Sequence, residues 1–312
     1  MNTANKNTVV NGFVDLNKWQ LIVVSGNDAK SYLQGQLTVN LNLLTDNHFL
    51  FSAHCDAKGK VLSNMLIFQL DNHIYYLERQ SVAQMQIDEL KKYAIFADII
   101  VNKEENQLLG LLGQDAEKVG SHLGLSFPDA NNNVSMTHNI IIIRLEKPTV
   151  RFILIATADY IALLKTQLIK QEFVHVDEAT WIIQDMEAGY PIIDKANALQ
   201  FLPQAISLEK IAAISLDKGC YRGQEMVARA TYRGANKRAL FCLVGKSRLI
   251  PTAGEVLEMA IEKNWRETGR ILAAATLPDN QIMVQAVLNR DISPNNTFRI
   301  KGDTTSLLSI RQ

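Results

Sequence analysis

The sequence is poor in cysteine. Its three, Cys55, Cys220 and Cys242 in 312 residues, form no CxxC pair and no His/Cys ligand spacing, which argues against a disulfide framework or a closed structural zinc site and leaves reduced thiols. Net charge is absent as well: Lys plus Arg and Asp plus Glu number 32 each, so attraction to a polyanion has to come from a local patch. Long apolar runs are missing too. The longest aliphatic stretch, "IIII" at 140–143, falls far short of a membrane span, and the opening "MNTANKNTVVNGF" has neither the basic start nor the apolar run of a signal peptide; the expectation is a cytoplasmic protein. Internal repeats, low-complexity tracts other than the polar "PDANNN" loop near 128, and the Gly-rich phosphate fingerprint of a dinucleotide fold are likewise lacking. What is there is ordinary globular material, 47% hydrophobic and 21% charged, with chain enough for two or three cores of roughly 100 to 150 residues.

Strand and helix patterns alternate through the first two thirds. "WQLIVVSG" from Trp19 reads as a strand turning at Gly26, and "NDAKSYLQG" as a helix with Asn27 for its N-cap, ending at Gly35. "NMLIFQLDNHIYYLE" gives two strands split by a turn at Asp71-Asn72, and "QSVAQMQIDELKKYAIF" has helical apolar spacing at Val82, Met85, Leu90 and Tyr93. "QLLGLLG", "NIIIIRL" and "RFILIAT" read as strands, and 158–171 as a helix capped by Thr157. Beyond Lys237 the texture changes to short strands, "RALFCLVG", "RILAAAT", "QIMVQAVL" and "TFRIK", separated by Pro, Gly, Asn and Asp. That pattern predicts a small antiparallel barrel or sandwich.

Three segments could carry chemistry. In "WIIQDMEAGYP", helical periodicity places Ile182, Ile183 and Met186 on one side and Trp181 opposite, beside Gln184, Asp185 and Ala188. Trp181 either packs on a neighbouring layer or walls a pocket for a planar heterocycle, whose nitrogens Glu187, preferred to Asp185, would accept. In "KGCYRGQEMVARATYRG", a helix from about Tyr221 to Gly234 sets Cys220 at its N-terminus, where Lys218 and Arg222 favour the thiolate; a small residue in a tight turn is the alternative. Arg222, Arg229 and Arg233 fall on one stripe of that helix, and six basic residues face one acid between 218 and 238. Such a stripe is either a solvated face or a holder of carboxylates or phosphates. In "AHCDAKGK", His54 and Cys55 are adjacent on a strand and point to opposite faces, so turn chemistry is the reading there.

Together these segments resemble the YgfZ family of bacterial folate-binding proteins, itself similar to T-protein, the aminomethyltransferase of the glycine cleavage system. "KGCYRGQEMVAR" carries the resemblance, with "YLQGQLT" at 32–38, "HCDAKGK" at 54–60, "EAGYPIID" at 187–194 and "FLPQ" at 201–204, over nearly the whole chain from about residue 13. It implies an α+β fold, three domains arranged T-protein-like around a central folate pocket, the last a C-terminal β-barrel. The regions are then 1–110, an N-terminal α+β folate-binding part; 111–238, a second α+β part carrying KGCYRGQE and interleaved with the first; and 239–312, the barrel. The resemblance further implies that Trp19 and Trp181 contribute to binding folate (tetrahydrofolate or a derivative), that Cys220 is the functional thiol, and that the protein supports iron-sulfur enzymes and through them tRNA thiomethylation, with a link to replication control. One departure stands out. Where the aminomethyltransferases carry a paired Asp, this chain has Ser63 and Asn64, and neither titrates usefully near neutral pH. Aminomethyl transfer is therefore not expected, although a one-carbon transferase using Cys220 is a second reading. A third is an RNA-binding adaptor, disfavoured because no RNA-binding motif is present; contact with tRNA is expected to be indirect.

Overall fold

The computed structural model, which describes residues 10–232, 234 and 236–311, forms two sheets packed face to face and a separate closed barrel. The chain opens with β1 (Gly12–Asp15), whose partners lie far downstream. It then builds an antiparallel sheet from β2 (Trp19–Ser25), β3 (Phe49–Cys55), β4 (Val61–Leu70), β5 (His73–Arg79) and β6 (Ile100–Lys103), in the order β3-β4-β5-β2-β6. The Asp71-Asn72 turn joining β4 to β5 has both residues at positive φ, 47° and 63°, as a tight antiparallel hairpin requires. Two helices, α1 (Ala29–Gln34) and α2 (Gln80–Tyr93), cover one face.

Helix α2 buries Val82, Ala83, Gln86, Ile87 and Leu90 and ends with Lys91 and Lys92 in its last turn, where cations suit the helix dipole. Met85 is only half-buried and Tyr93 is exposed, so the core face is narrower than the spacing predicts. The N-cap of α1 is Asp28 rather than Asn27, and neither side chain caps. Asn27 donates to the Asp98 carboxylate and Asp28 accepts from the Asp98 amide, so both tie down a neighbouring loop. Thr157 stands at its predicted N-cap position without a side-chain capping bond.

The second sheet contains β7 (Gln107–Leu112), β8 (Val134–Thr137), β9 (Ile140–Leu145), β10 (Arg151–Ala156) and β11 (Val174–His175), and takes in β1, in the order β11-β1-β7-β10-β9-β8. Its central strands β7, β9 and β10 are near-continuous apolar runs because both faces are covered there. Ile140 and Ile142 face α3 (Val119–His122) and α4 (Ala158–Lys170), while Ile141, Ile143 and Leu145 face the first sheet. Leu66, Phe68 and Leu77 meet them from that side, so the interface between the sheets is a core in its own right.

Helix α5 (Glu178–Glu187), capped by the Asp177 side chain accepting from Ala179 N, sits at a three-way junction. Trp181 enters the inter-sheet core, whereas Ile182 and Met186 pack on the barrel. Past α6 (Gln224–Tyr232) comes the barrel: β12 (Arg238–Lys246), β13 (Val256–Ile261), β14 (Asn264–Thr276), β15 (Ile282–Asn289), β16 (Thr297–Ile300) and β17 (Leu307–Ile310), closed in the order β12-β15-β14-β13-β16-β17. Leu243, Leu257, Ile271, Val284, Leu288 and Phe298 help to fill its interior. Among the described residues no helix is long and apolar enough to cross a membrane.

Candidate functional site

Where the two sheets part near α5 they leave a narrow cleft with about 40 Å³ of room for solvent. Trp19, at the start of β2, Phe51 on β3, Asn64 on β4 and Trp181, Asp185 and Tyr190 from α5 and the turn after it line the cleft, over a floor of leucine and isoleucine. Phe51 and Tyr190 rings lie 4.5 Å apart. Asn64 Nδ2 donates to Pro191 O at 2.8 Å, fixing that turn.

The two predicted tryptophans do meet at this cleft, but not as an open pair of walls. Trp181 is 1% exposed. The Arg151 guanidinium lies over its ring at 4.3 Å, and Gly110 on β7 makes room for it, since a Cβ there would fall 2.7 Å from Trp181 Cε3. The stacking place expected for a ligand on Trp181 is therefore held by an arginine. Trp19 is half-buried beneath Arg79, whose guanidinium is 5.3 Å from its ring centre, and its Nε1 is buried without a partner.

Of the two carboxylates weighed on α5, the structure brings Asp185 and not Glu187 to the cleft. Glu187 instead accepts from Arg311 Nη1 at 2.6 Å, beyond the end of β17. Asp185 is 2% exposed and its Oδ1 accepts from Arg151 Nη2 at 2.6 Å. Burial pushes the Asp185 carboxyl up from the usual carboxylate range, and the adjacent Arg151 opposes that rise. Asp185 Oδ2, with Arg151 Nε and Nη1, makes no well-aligned hydrogen bond, although the Trp181 side chain lies close enough to favour the ionised carboxylate together with Arg151 and Arg79.

The signature around Cys220 forms a second construction. α6 starts at Gln224, three residues later than the sequence predicts, because Gly223 holds φ +81° and cannot be helical. Cys220 is thus exposed in the loop four residues ahead of the helix, not at its first turn, and is not among the cleft residues. Its cationic neighbours in sequence also point elsewhere. Lys218 is buried and its Nζ donates to Gln34 O, Leu37 O and Val39 O at 2.6, 2.6 and 2.8 Å, while burial pushes the amine down to about 8. Arg222 pairs with Glu89 at 2.5 Å and lies over Tyr93 at 4.4 Å.

The motifs quoted from the sequence interlock here. The Lys58-Gly59 turn packs on α6, where a Cβ on Gly59 would lie 2.9 Å from Met226 Cβ; one on Gly223 would lie 2.4 Å from Asp56 O. Gln204 donates to Val227 O and Thr231 Oγ1, each at 2.8 Å, so the "FLPQ" segment holds α6 from its other side. His54 and Cys55 are fully buried, and burial lowers the His54 imidazole to about 4 and raises the Cys55 thiol. Arg229 is exposed and bound to Glu225 one turn back at 2.9 Å, away from the cleft lining, and Arg233 lies outside the described residues.

Sequence reasoning missed Glu78. It is wholly buried, its Oε2 accepts from Ser63 Oγ, its Oε1 has no partner, and burial pushes it up to about 8. Alternation along β5 carries the signal: Ile74, Tyr76 and Glu78 share the face covered by α2. A carboxyl thus does stand beside Ser63, but on the side of the sheet turned away from the cleft.

The chain matches known proteins over almost its entire length. Residues 236–303 match the family model described as the YgfZ beta-barrel domain. A tRNA-modifying protein YgfZ from Pectobacterium atrosepticum is 41% identical over 299 residues, covering 96% of this chain and 90% of that one. Its counterpart from Klebsiella pneumoniae is 43% identical over 293 residues, covering 94% and 89%. Among solved structures, the glycine cleavage system aminomethyltransferase T from Bartonella henselae superposes with a TM-score of 0.79 at 19% identity, covering 98% of this chain and 86% of that one. The fold is that of T-protein, and the level and extent of identity make this chain a member of the YgfZ family.

Proposed function

We propose that this protein is a folate-binding accessory factor in tRNA modification, acting by sustaining iron-sulfur enzymes, with its folate in the cleft beside Trp19 and Asp185. The observation that carries the reading is the state of the cleft wall. Asp185 Oδ2 and Trp19 Nε1 are buried without a well-aligned partner in a lining whose only other polar side chain beside the aromatics is Asn64, already bonded to Pro191 O, and such atoms cost stability unless something that enters the cleft satisfies them. A pterin is flat, apolar on its faces and rich in donors and acceptors at its edge, which suits that wall. Trp19, Phe51 and Tyr190 would hold the ring, and the bound folate would supply a carrier for one-carbon units. The names of the family relatives and the T-protein fold support the same assignment. A transferase working through Cys220 has less support, because that thiol is not among the cleft residues.

Titration with 5-formyltetrahydrofolate, followed by tryptophan fluorescence and calorimetry, tests the reading. Quenching is expected, with Trp19→Ala weakening affinity roughly tenfold through lost contact area and ring interaction. Absence of both heat and quenching in the wild-type protein would remove folate from the proposal.

A further inference from the structure

Among the described residues the ion pair between Arg151 and Asp185 is the most deeply buried, at 0% and 3% side-chain exposure. A buried pair offsets its desolvation only if its remaining donors and acceptors are also satisfied. Here they are not: Asp185 Oδ2, Arg151 Nε and Arg151 Nη1 are all left over. The guanidinium lies over Trp181 and near Tyr190, 4.3 and 5.9 Å from their ring centres, and is fully buried there. Asp185 lies in the cleft wall and Arg151 behind it. Asp185 is the one carboxylate lining the cleft, set among Leu66, Leu77 and Ile153, and the donors that share the wall with it are the Trp181 and Trp19 indoles, Asn64 and Tyr190.

We propose that Asp185 is the specificity-determining residue of the cleft: its carboxylate accepts from the donor edge of a 2-amino-4-oxopyrimidine ring, the exocyclic amine and the ring N3–H. Arg151 is a positioning residue that fixes Oδ1 so that Oδ2 faces the ligand. This rests on the folate reading above, and it adds that the amine is the discriminating group. A site built around a buried acceptor rejects an analogue lacking the donor far more strongly than an apolar pocket rejects a lost methylene, because the acceptor is left unpaired.

The test compares two ligands that differ only at that group, 5,8-dideazafolate and its 2-desamino-2-methyl analogue, by calorimetry on the full-length protein. The wild type is expected to favour the 2-amino ligand by about 100-fold. In the double variant Asp185→Leu with Arg151→Met, which removes both charges together and so leaves neither unpaired, the preference should shrink to within about threefold. Arg151→Lys should keep binding but reduce the preference and make it pH-dependent, which a purely structural role would not do. Tight binding of both ligands by the wild type would overturn the assignment and leave the folate reading standing. Binding of neither would overturn both. A preference that survives in the double variant would move the discriminating contact to another residue, and if that variant fails to fold Arg151→Lys decides, since an undiminished preference there overturns the assignment.

Discussion

The cleft and the Cys220 loop are built on opposite plans. In the cleft the shape is fixed and hydrogen-bonding capacity is left open: Arg151 locks Trp181 while Asp185 Oδ2 and Trp19 Nε1 stay unmet. In the loop the capacity is closed, with Lys218 using three carbonyls, Arg222 holding Glu89 and Gly223 pressed on Asp56, and what remains open is one exposed thiol. The first arrangement suits taking up a ligand. The second suits holding out a reactive atom at a constant place.

The rigidity of the loop can be broken most severely at Gly223. An alanine there meets both a left-handed φ of +81° and a carbonyl at 2.4 Å, so Gly223→Ala should cost about 3 kcal/mol or more in urea unfolding. Lys218→Met comes next. It leaves three inward-facing carbonyls without their donor, and at about 1 kcal/mol for each hydrogen bond a loss of about 2 to 3 kcal/mol is expected in the same assay. A loss below about 0.5 kcal/mol in either variant would contradict the closed design.

Smaller, and separable by pH, is the contribution of Glu78. In the unfolded chain its carboxyl ionises near 4.5 and in the fold near 8, so between those values the folded chain keeps a proton that the unfolded chain has released. Stability therefore falls as pH rises through that window and the contribution is lost above about 8. His54, lowered from 6.5 to about 4, acts oppositely and only at lower pH, destabilising the fold as pH drops below 6.5. Between pH 6.5 and 8 Glu78→Gln should accordingly gain about 1 to 2 kcal/mol relative to wild type, read from paired urea curves. Parallel curves would mean that Glu78 is ionised throughout.

The smallest effect on stability is expected at Cys220 itself. Cys220→Ser should leave unfolding within about 0.5 kcal/mol and folate affinity unchanged, yet abolish support of iron-sulfur enzymes in cells. Under native conditions a thiol reagent should label Cys220 and spare Cys55 and Cys242, the first fully buried and the second held against Met186 O with its thiol raised to about 11. Labelling of all three at equal rates would show the packing to be looser than described.

What the sequence made legible follows the range of the forces involved. Short continuous apolar runs marked β7, β9 and β10, and the barrel was foreseen except for β13 and β17, whose "VLEMAI" and "LLSI" are short and diluted with polar residues. The choice between Asp185 and Glu187 was available but not taken. At roughly 100° per residue Asp185 lies one turn from Trp181 and on its face, whereas Glu187 is turned about 240° away. Three features left no such trace. Arg151 reaches Trp181 from another element, Glu78 meets Ser63 only through strand pairing, and Lys218 binds backbone carbonyls that no side-chain pattern announces.

Strand β1 has a consequence for how the protein is made. Gly12 pairs with Leu112 on one side and Val174 on the other, so β1 is completed by segments synthesised about 100 and about 160 residues after it. At roughly 5 to 20 residues per second it waits on the order of 10 s for its last neighbour. During that interval Phe13, Val14 and Leu16, all but fully buried in the finished fold, have no sheet to enter. The body is therefore sealed from its N-terminal end by a late event, and a nascent chain stalled before Val174 presents an open apolar edge to whatever chaperone attends it.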